Sequence, residues 1–306
     1  MNKLFSNQDY EILAKDVIGD AFYANNSYRD KVSKERQYAE IIVRKVLDIN
    51  PSDQVMLGDK KILKKVAGLP HNSFFLKAIN KIKASGNKTT HTQYLLPVEK
   101  TDFDEMTDSL FDMYAYVAIK YFDKYKFGSR NDVMSVFSLL PPIIRYKALE
   151  YLFSVEPNNI AVADKLVLAV MKAENPDDAD AWVKQHKKEL EALLCFPEQA
   201  YQKIAANMGE VFAKEVLSSA PKNMYELSVS KIEQLRGKIE SEGTIYKTFE
   251  EALPYYKKHG IIPDNGTDEI HEFNDMMEFM YLGRKENEDQ EIGEPFMVIN
   301  MLDTNI

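Results

Sequence analysis

A chain of 306 residues with 45% apolar and 28% charged residues can bury a sizeable core, as two ordinary domains or one large one, and is neither fibrous nor low in apolar content like a disordered chain. No apolar run approaches the roughly 20 residues of a helical membrane span, so no membrane contact is expected at a net charge of −9. One cysteine, Cys195 in the apolar stripe ELEALLCF, excludes an internal disulfide and a cysteine-built metal site, and is expected to be a buried, inert thiol.

The first residues, MNKLFSNQDYE, lack the apolar centre of a signal peptide, so a cytoplasmic protein is expected. Helical periodicity then predicts helices over 11–23 (Ile12, Leu13, Val17, Ile18 and Phe22 inward), 31–47 (Ala39, Ile42, Val43, Val46 and Leu47 inward) and 72–84 (Phe75, Leu76, Ile79 and Ile82 inward). A long aromatic helix is predicted over 102–125. Its first turn is acidic (Asp102, Asp104, Glu105) and its last basic (Lys120, Lys124, Lys126), which suits the helix dipole. Gly128-Ser129-Arg130-Asn131 breaks the pattern, and a domain boundary is expected there.

Beyond it, helices are predicted to start near Pro141-Pro142, Pro157, Pro176 and Pro197, because the missing proline donor costs nothing in a first turn. They run over 143–153, 160–172, 178–194, 198–218, 224–241, 249–258 and 268–281. Their spacing suggests stacked helical hairpins, although no residue signature repeats. PFMVINML, 295–302, reads as an isolated strand or a docked apolar tail. The expected fold is all-α: a basic bundle over 1–128, then an acidic helical domain over 129–306.

Charge is uneven. Residues 1–128 hold 20 lysines and arginines against 17 acidic residues, whereas 129–306 hold 19 against 31. No aspartate or glutamate occurs between Lys60 and Val98, a window carrying eight lysines: Lys60, Lys61, Lys64, Lys65, Lys77, Lys81, Lys83 and Lys88. Such a cluster makes a positive field that attracts phosphates and weakens with salt, unless it is simply a solvated face. The window also contains IKASGNKTTH, from Ile82 to His91. On its own residues this stretch has three readings. Gly86 ends a helix in a left-handed cap, with His91 packed at the next helix start. Or Lys83, Asn87, Lys88 and His91 line a phosphate site. Or His91 is the acid/base of a nuclease.

The order of amphipathic helix (ERQYAEIIVRKVLDI), basic linker, helix (NSFFLKAINKIKASGN), histidine and acidic-started long helix resembles the HEPN superfamily. Within it, the likeness is to the helical domains of restriction and abortive-infection proteins, with Lys83, Gly86-Asn87 and His91 at the motif positions. The likeness covers about residues 5–128. It implies a prokaryotic defence or toxin-like protein acting on nucleic acid, RNA above all, as a homodimer with the two sites facing one cleft. It implies metal-independent, cofactor-free cleavage with His91 as acid/base and Asn87 at the polar position. The arginine of the family pattern is replaced here by Gly86. Lys83 and Lys88 keep the charge without the guanidinium fork. Nucleic-acid contacts are expected from Lys64, Lys65, Lys77, Lys81 and Lys88. The alternative is a non-catalytic adaptor, whose basic bundle binds nucleic acid or a partner while the acidic domain binds another protein.

Other chemistry is less marked. In DEIHEFNDMMEF, His271, Asp275 and Glu278 share a helix face that would suit a divalent metal, but an acidic solvated helix is the expected reading. Tyr114, Tyr116, Tyr121 and Tyr125 are expected in the core rather than stacked on bases. GxxxxGK[ST], GxGxxG after a strand, and GxSxG are all missing, so ATPase, dinucleotide and serine-hydrolase readings lack support.

Overall fold

The computed structural model describes residues 8–50, 52–90, 95–196, 198–263 and 265–287. In chain order α1 (Gln8–Ile18) runs into one π-helical turn at Gly19–Tyr23. Then come α2 (Tyr28–Leu47), α3 (Lys60–Ala67), α4 (Asn72–Thr90), α5 (Lys100–Tyr125), α6 (Asn131–Phe137), α7 (Pro142–Val155), α8 (Ile160–Ala173) and α9 (Pro176–Gln185). α10 (Lys187–Glu191), α11 (Glu198–Met208), α12 (Glu210–Ser219), α13 (Met224–Glu242), α14 (Phe249–His259) and α15 (Asp268–Tyr281) follow. No strand occurs among the described residues, so the protein is all-α. The segment 295–302, read as a strand or tail, lies outside the described residues, as does Pro197.

Short polar residues set the helix starts. The Ser27 hydroxyl accepts from the Asp30 amide at 3.2 Å and opens α2, and Asp48 at φ 50° closes it. Asn159, Asn175 and Asn223 cap α8, α9 and α13 in the same way, with Pro176 in the first turn of α9. Pro142 opens α7, whereas Pro157 precedes the Asn159 cap instead of starting a helix. Two predicted helices are each two. The 178–194 segment divides at His186, and 198–218 divides at Gly209, whose φ of 92° an L side chain rarely adopts.

The chain forms two compact units. One takes residues up to Lys126 together with His259–Asn287, and the other takes Phe127–Lys258. Segment 259–287, expected in the second domain, therefore belongs to the first. The reason is apolar: α15 buries Ile270, Phe273, Met276, Met277, Phe279, Met280 and Tyr281. Phe273 packs on Tyr121 and Phe279 on Tyr114, with ring centroids 5.3 and 6.4 Å apart. Glu272 accepts from Lys124 at 2.9 Å, and Asp275 pairs with Lys45. The helix read as an acidic solvated one is thus largely an interior element.

In the first unit α2, α4 and α5 enclose the core. Phe75 stacks on Tyr116 at 4.3 Å, and the buried Tyr114 hydroxyl donates to the Tyr38 hydroxyl at 2.5 Å. Tyr116 donates to the Pro70 carbonyl at 2.7 Å, and Tyr121 is also buried. These phenols fill the core as expected, with the hydroxyls of Tyr114 and Tyr116 satisfied.

In the second unit α7, α8, α9 and α13 stack on one another. Trp182 lies edge-on to Phe153 at 5.4 Å, and a buried Lys231–Asp164 ion pair ties α13 to α8. Cys195 is 4% exposed and burial pushes its thiol up to about 11, so it is inert as expected. The chain is firmly held where it leaves α5. Phe127 is 3% exposed, its ring meets Phe137 edge-on, and Asn159 donates to its carbonyl at 3.1 Å.

Candidate functional site

Two helices carry the basic window. On α3, Ile62 and Val66 point inward while Lys60, Lys61, Lys64 and Lys65 are all exposed on the opposite side. The Asp59 carboxylate holds this helix start by accepting from the Lys61 amide at 2.7 Å. On α4 the buried edge is Phe75, Ala78, Ile79, Ile82 and Gly86. Lys77, Lys81, Ala84 and Asn87 form the exposed stripe. Lys81 reaches the Asp112 carboxylate only at 3.5 Å. Lys83 is half-buried, with the middle of its side chain beside Gly58. Lys88 belongs to α4, but its side chain and the whole of His91 lie outside the described residues.

α4 does not end at Gly86. The helix continues through Gly86-Asn87 to Thr90, so the left-handed cap expected there is absent. Glycine is placed there by close approach instead. A Cβ at position 86 would lie 2.6 Å from Cδ of Arg36, which crosses from α2. Arg36 Nη1 then donates to Asn87 Oδ1 at 2.6 Å. Gly86 is thus the gap through which an arginine from another helix crosses α4. A guanidinium also suits this position because the last turn of a helix presents unpaired carbonyls.

Arg36 is the first of a row at four-residue spacing along α2. Glu40 follows, half-buried. Burial raises its carboxyl above the usual range, against the opposing pull of Arg36, the Leu57 amide and Arg44. Arg44 donates to the Asn50 carbonyl at 2.9 Å. Arg36 and Asn87 therefore meet at the C-terminal end of α4, Lys83 lies one turn earlier with its side chain beside Gly58, and by sequence His91 follows four residues after Asn87. Lys64, Lys65, Lys77 and Lys81 extend the positive surface along α3 and α4. Sequence reasoning missed Arg36, although a glycine inside a helical pattern is itself a signal of close backbone approach. Among the described residues no group of three or more His, Cys, Asp or Glu is placed to hold a metal, and Asp275 of the suspected metal face is engaged by Lys45.

Gly86→Ala is expected to detach Arg36 from Asn87 with little net effect on folding. Alanine favours a helix interior by about 1 kcal/mol over glycine, and one exposed hydrogen bond contributes a similar amount. Chemical denaturation of the variant checks this, with near-native stability as the expected result. No protein-family model matches the chain, and no curated protein or solved structure matches it.

Proposed function

We propose that the first unit binds nucleic acid, RNA in particular, along the α3–α4 lysine surface, with Arg36 as the group that grips a phosphate at the end of α4. The observation that carries the reading is the Arg36–Gly86–Asn87 arrangement: a glycine lets the guanidinium cross α4, and an amide orients it. Arginine presents a planar fork that matches two phosphate oxygens, which lysine does not. The reading extends to a metal-independent HEPN-type ribonuclease of prokaryotic defence acting as a homodimer. His91 takes the proton of the ribose 2′-hydroxyl as that oxygen attacks phosphorus, or returns a proton to the leaving 5′-oxygen. Arg36 stabilises the charge that builds on the phosphorane.

A second reading, a non-catalytic adaptor, has one observation of its own. The α11–α12 hairpin packs chiefly on itself and leaves Val211 82%, Met208 51% and Phe212 45% exposed, a surface of the kind that protein partners cover. Both readings share the basic surface. RNA affinity of the intact chain is expected to fall steeply with salt. Exchanging Lys77, Lys81 and Lys64 together for glutamine should flatten the log–log slope by about one unit for each phosphate that these lysines neutralise. An unchanged slope in the triple variant counts against both readings.

A further inference from the structure

Away from the basic surface, the first unit has an open cavity of about 680 Å³. One wall is the end of α1 and the start of the π-helical turn, with Lys15, Asp16, Gly19 and Asp20. The other is the turn after α15, with Arg284 and Lys285. The backbone is built for this gap. Gly283, at φ 73°, brings the turn so close to α1 that a Cβ there would lie 3.1 Å from the Lys15 Cα. The extra residue of a π-turn re-aims the side chains that follow it, and such turns recur at functional sites. Gly19 leaves the floor empty, since a Cβ there would meet nothing within 4 Å.

Charge defines what would fit. Asp16 has no ion-pair or hydrogen-bond partner among the described residues. The Lys285 ammonium has no carboxylate partner among them and sits 5.3 Å from the Tyr23 ring centroid. Its backbone amide, donating to the Tyr23 hydroxyl at 3.2 Å, fixes the turn. Lys15 pairs with Glu11 at 2.6 Å and Asp20 with Lys34 at 2.8 Å, which leaves Asp16 and Lys285 as the open ends of the cavity. Arg284 closes its inner side, and its guanidinium is turned to the core: it is 9% exposed, lies 4.5 Å from the Phe22 ring centroid and donates to the buried Tyr114 hydroxyl at 3.3 Å. Opposite charges that line one cavity without meeting suit a ligand that carries both signs. A purely anionic ligand would face Asp16 and Asp20, and a purely cationic one would face Lys15 and Lys285. The volume lies within the range of small-molecule sites.

We infer that this cavity binds a small zwitterion of the amino-acid type, its ammonium directed to Asp16 and its carboxylate to Lys285. The test is calorimetric titration of the full chain with each free amino acid, and of the best binder again as its N-acetyl and methyl-ester forms. Saturable binding of at least one free amino acid is expected, weakened about tenfold or more by either blocking group and by Asp16→Asn or Lys285→Met. Gly19→Leu should abolish binding while leaving the melting temperature unchanged, because the added side chain enters empty space. Heat-silent titrations with every amino acid, equal binding of a blocked form, or full binding by Gly19→Leu would overturn the inference.

Discussion

Replacing His91 by alanine is expected to lower RNA cleavage by about a hundredfold or more, the usual contribution of a positioned acid/base, with binding nearly unchanged. An imidazole can serve as either acid or base near neutrality. It adds little to a field made by eight lysines within 39 residues. Arg36→Lys is the informative companion. It keeps the charge over Gly86 but loses the fork, so cleavage should fall while salt-dependent affinity stays close to wild type. Cleavage assayed in excess chelator separates this chemistry from metal-assisted hydrolysis. A chain that binds RNA and never cleaves it, with or without His91, is the adaptor of the second reading.

Glu35→Gln is expected to stabilise the first unit by several kcal/mol at pH 9 and by much less at pH 5. Glu35 on α2 is fully buried, and the Thr107 hydroxyl donates to one carboxylate oxygen. The other oxygen has no hydrogen-bond partner among the described residues. Burial pushes the carboxyl up to about 8, against the lesser opposing effects of the Thr107 bond and of Arg284. Because the folded value lies above the unfolded one of 4.5, the unfolded chain releases its proton first as pH rises. Stability from this group is therefore fully present below about pH 4.5 and is lost as pH climbs through 8. The limiting loss is about 5 kcal/mol, at 1.36 kcal/mol per unit. Glutamine keeps the shape and cannot ionise. Lys172 in the second unit, pushed down to about 8 by burial, gives the opposite slope above pH 8, so the readout is the difference between wild type and variant. Urea unfolding at the two pH values measures it. A difference that does not widen between pH 5 and 9 would mean that Glu35 ionises freely.

Period and capping made most helices legible in the sequence. The 3.6-residue pattern in the second half of α2, carried by Ala39, Ile42, Val43 and Val46, marks residues that are buried in the structure. What escaped was either short or long-range. α3 spans only eight residues, with two buried apolar positions, which is too few for a period to stand out. α15 is acidic on the side that pairs with Lys45 and Lys124, so its charge read as solvation, whereas its apolar positions join it to α5 from far along the chain. At the candidate site, Lys83 and Asn87 were legible because they lie within one helix. The contribution of Arg36 was not, because its bond to Asn87 spans 51 residues and no local pattern encodes which helix will cross a glycine. Glu35 likewise sits in a charged, helix-favouring stretch, SKERQ, whose sequence gives no sign of full burial.

Photo-crosslinking of bound RNA to the intact chain, mapped by peptide mass spectrometry, tests whether α3, α4 and Arg36 hold RNA. Crosslinks are expected in peptides from Lys60 to Thr90 and in the peptide containing Arg36, with the latter abolished in Arg36→Ala. Crosslinks confined to residues 127–258, or a chain that takes up no RNA at low salt, would contradict this expectation.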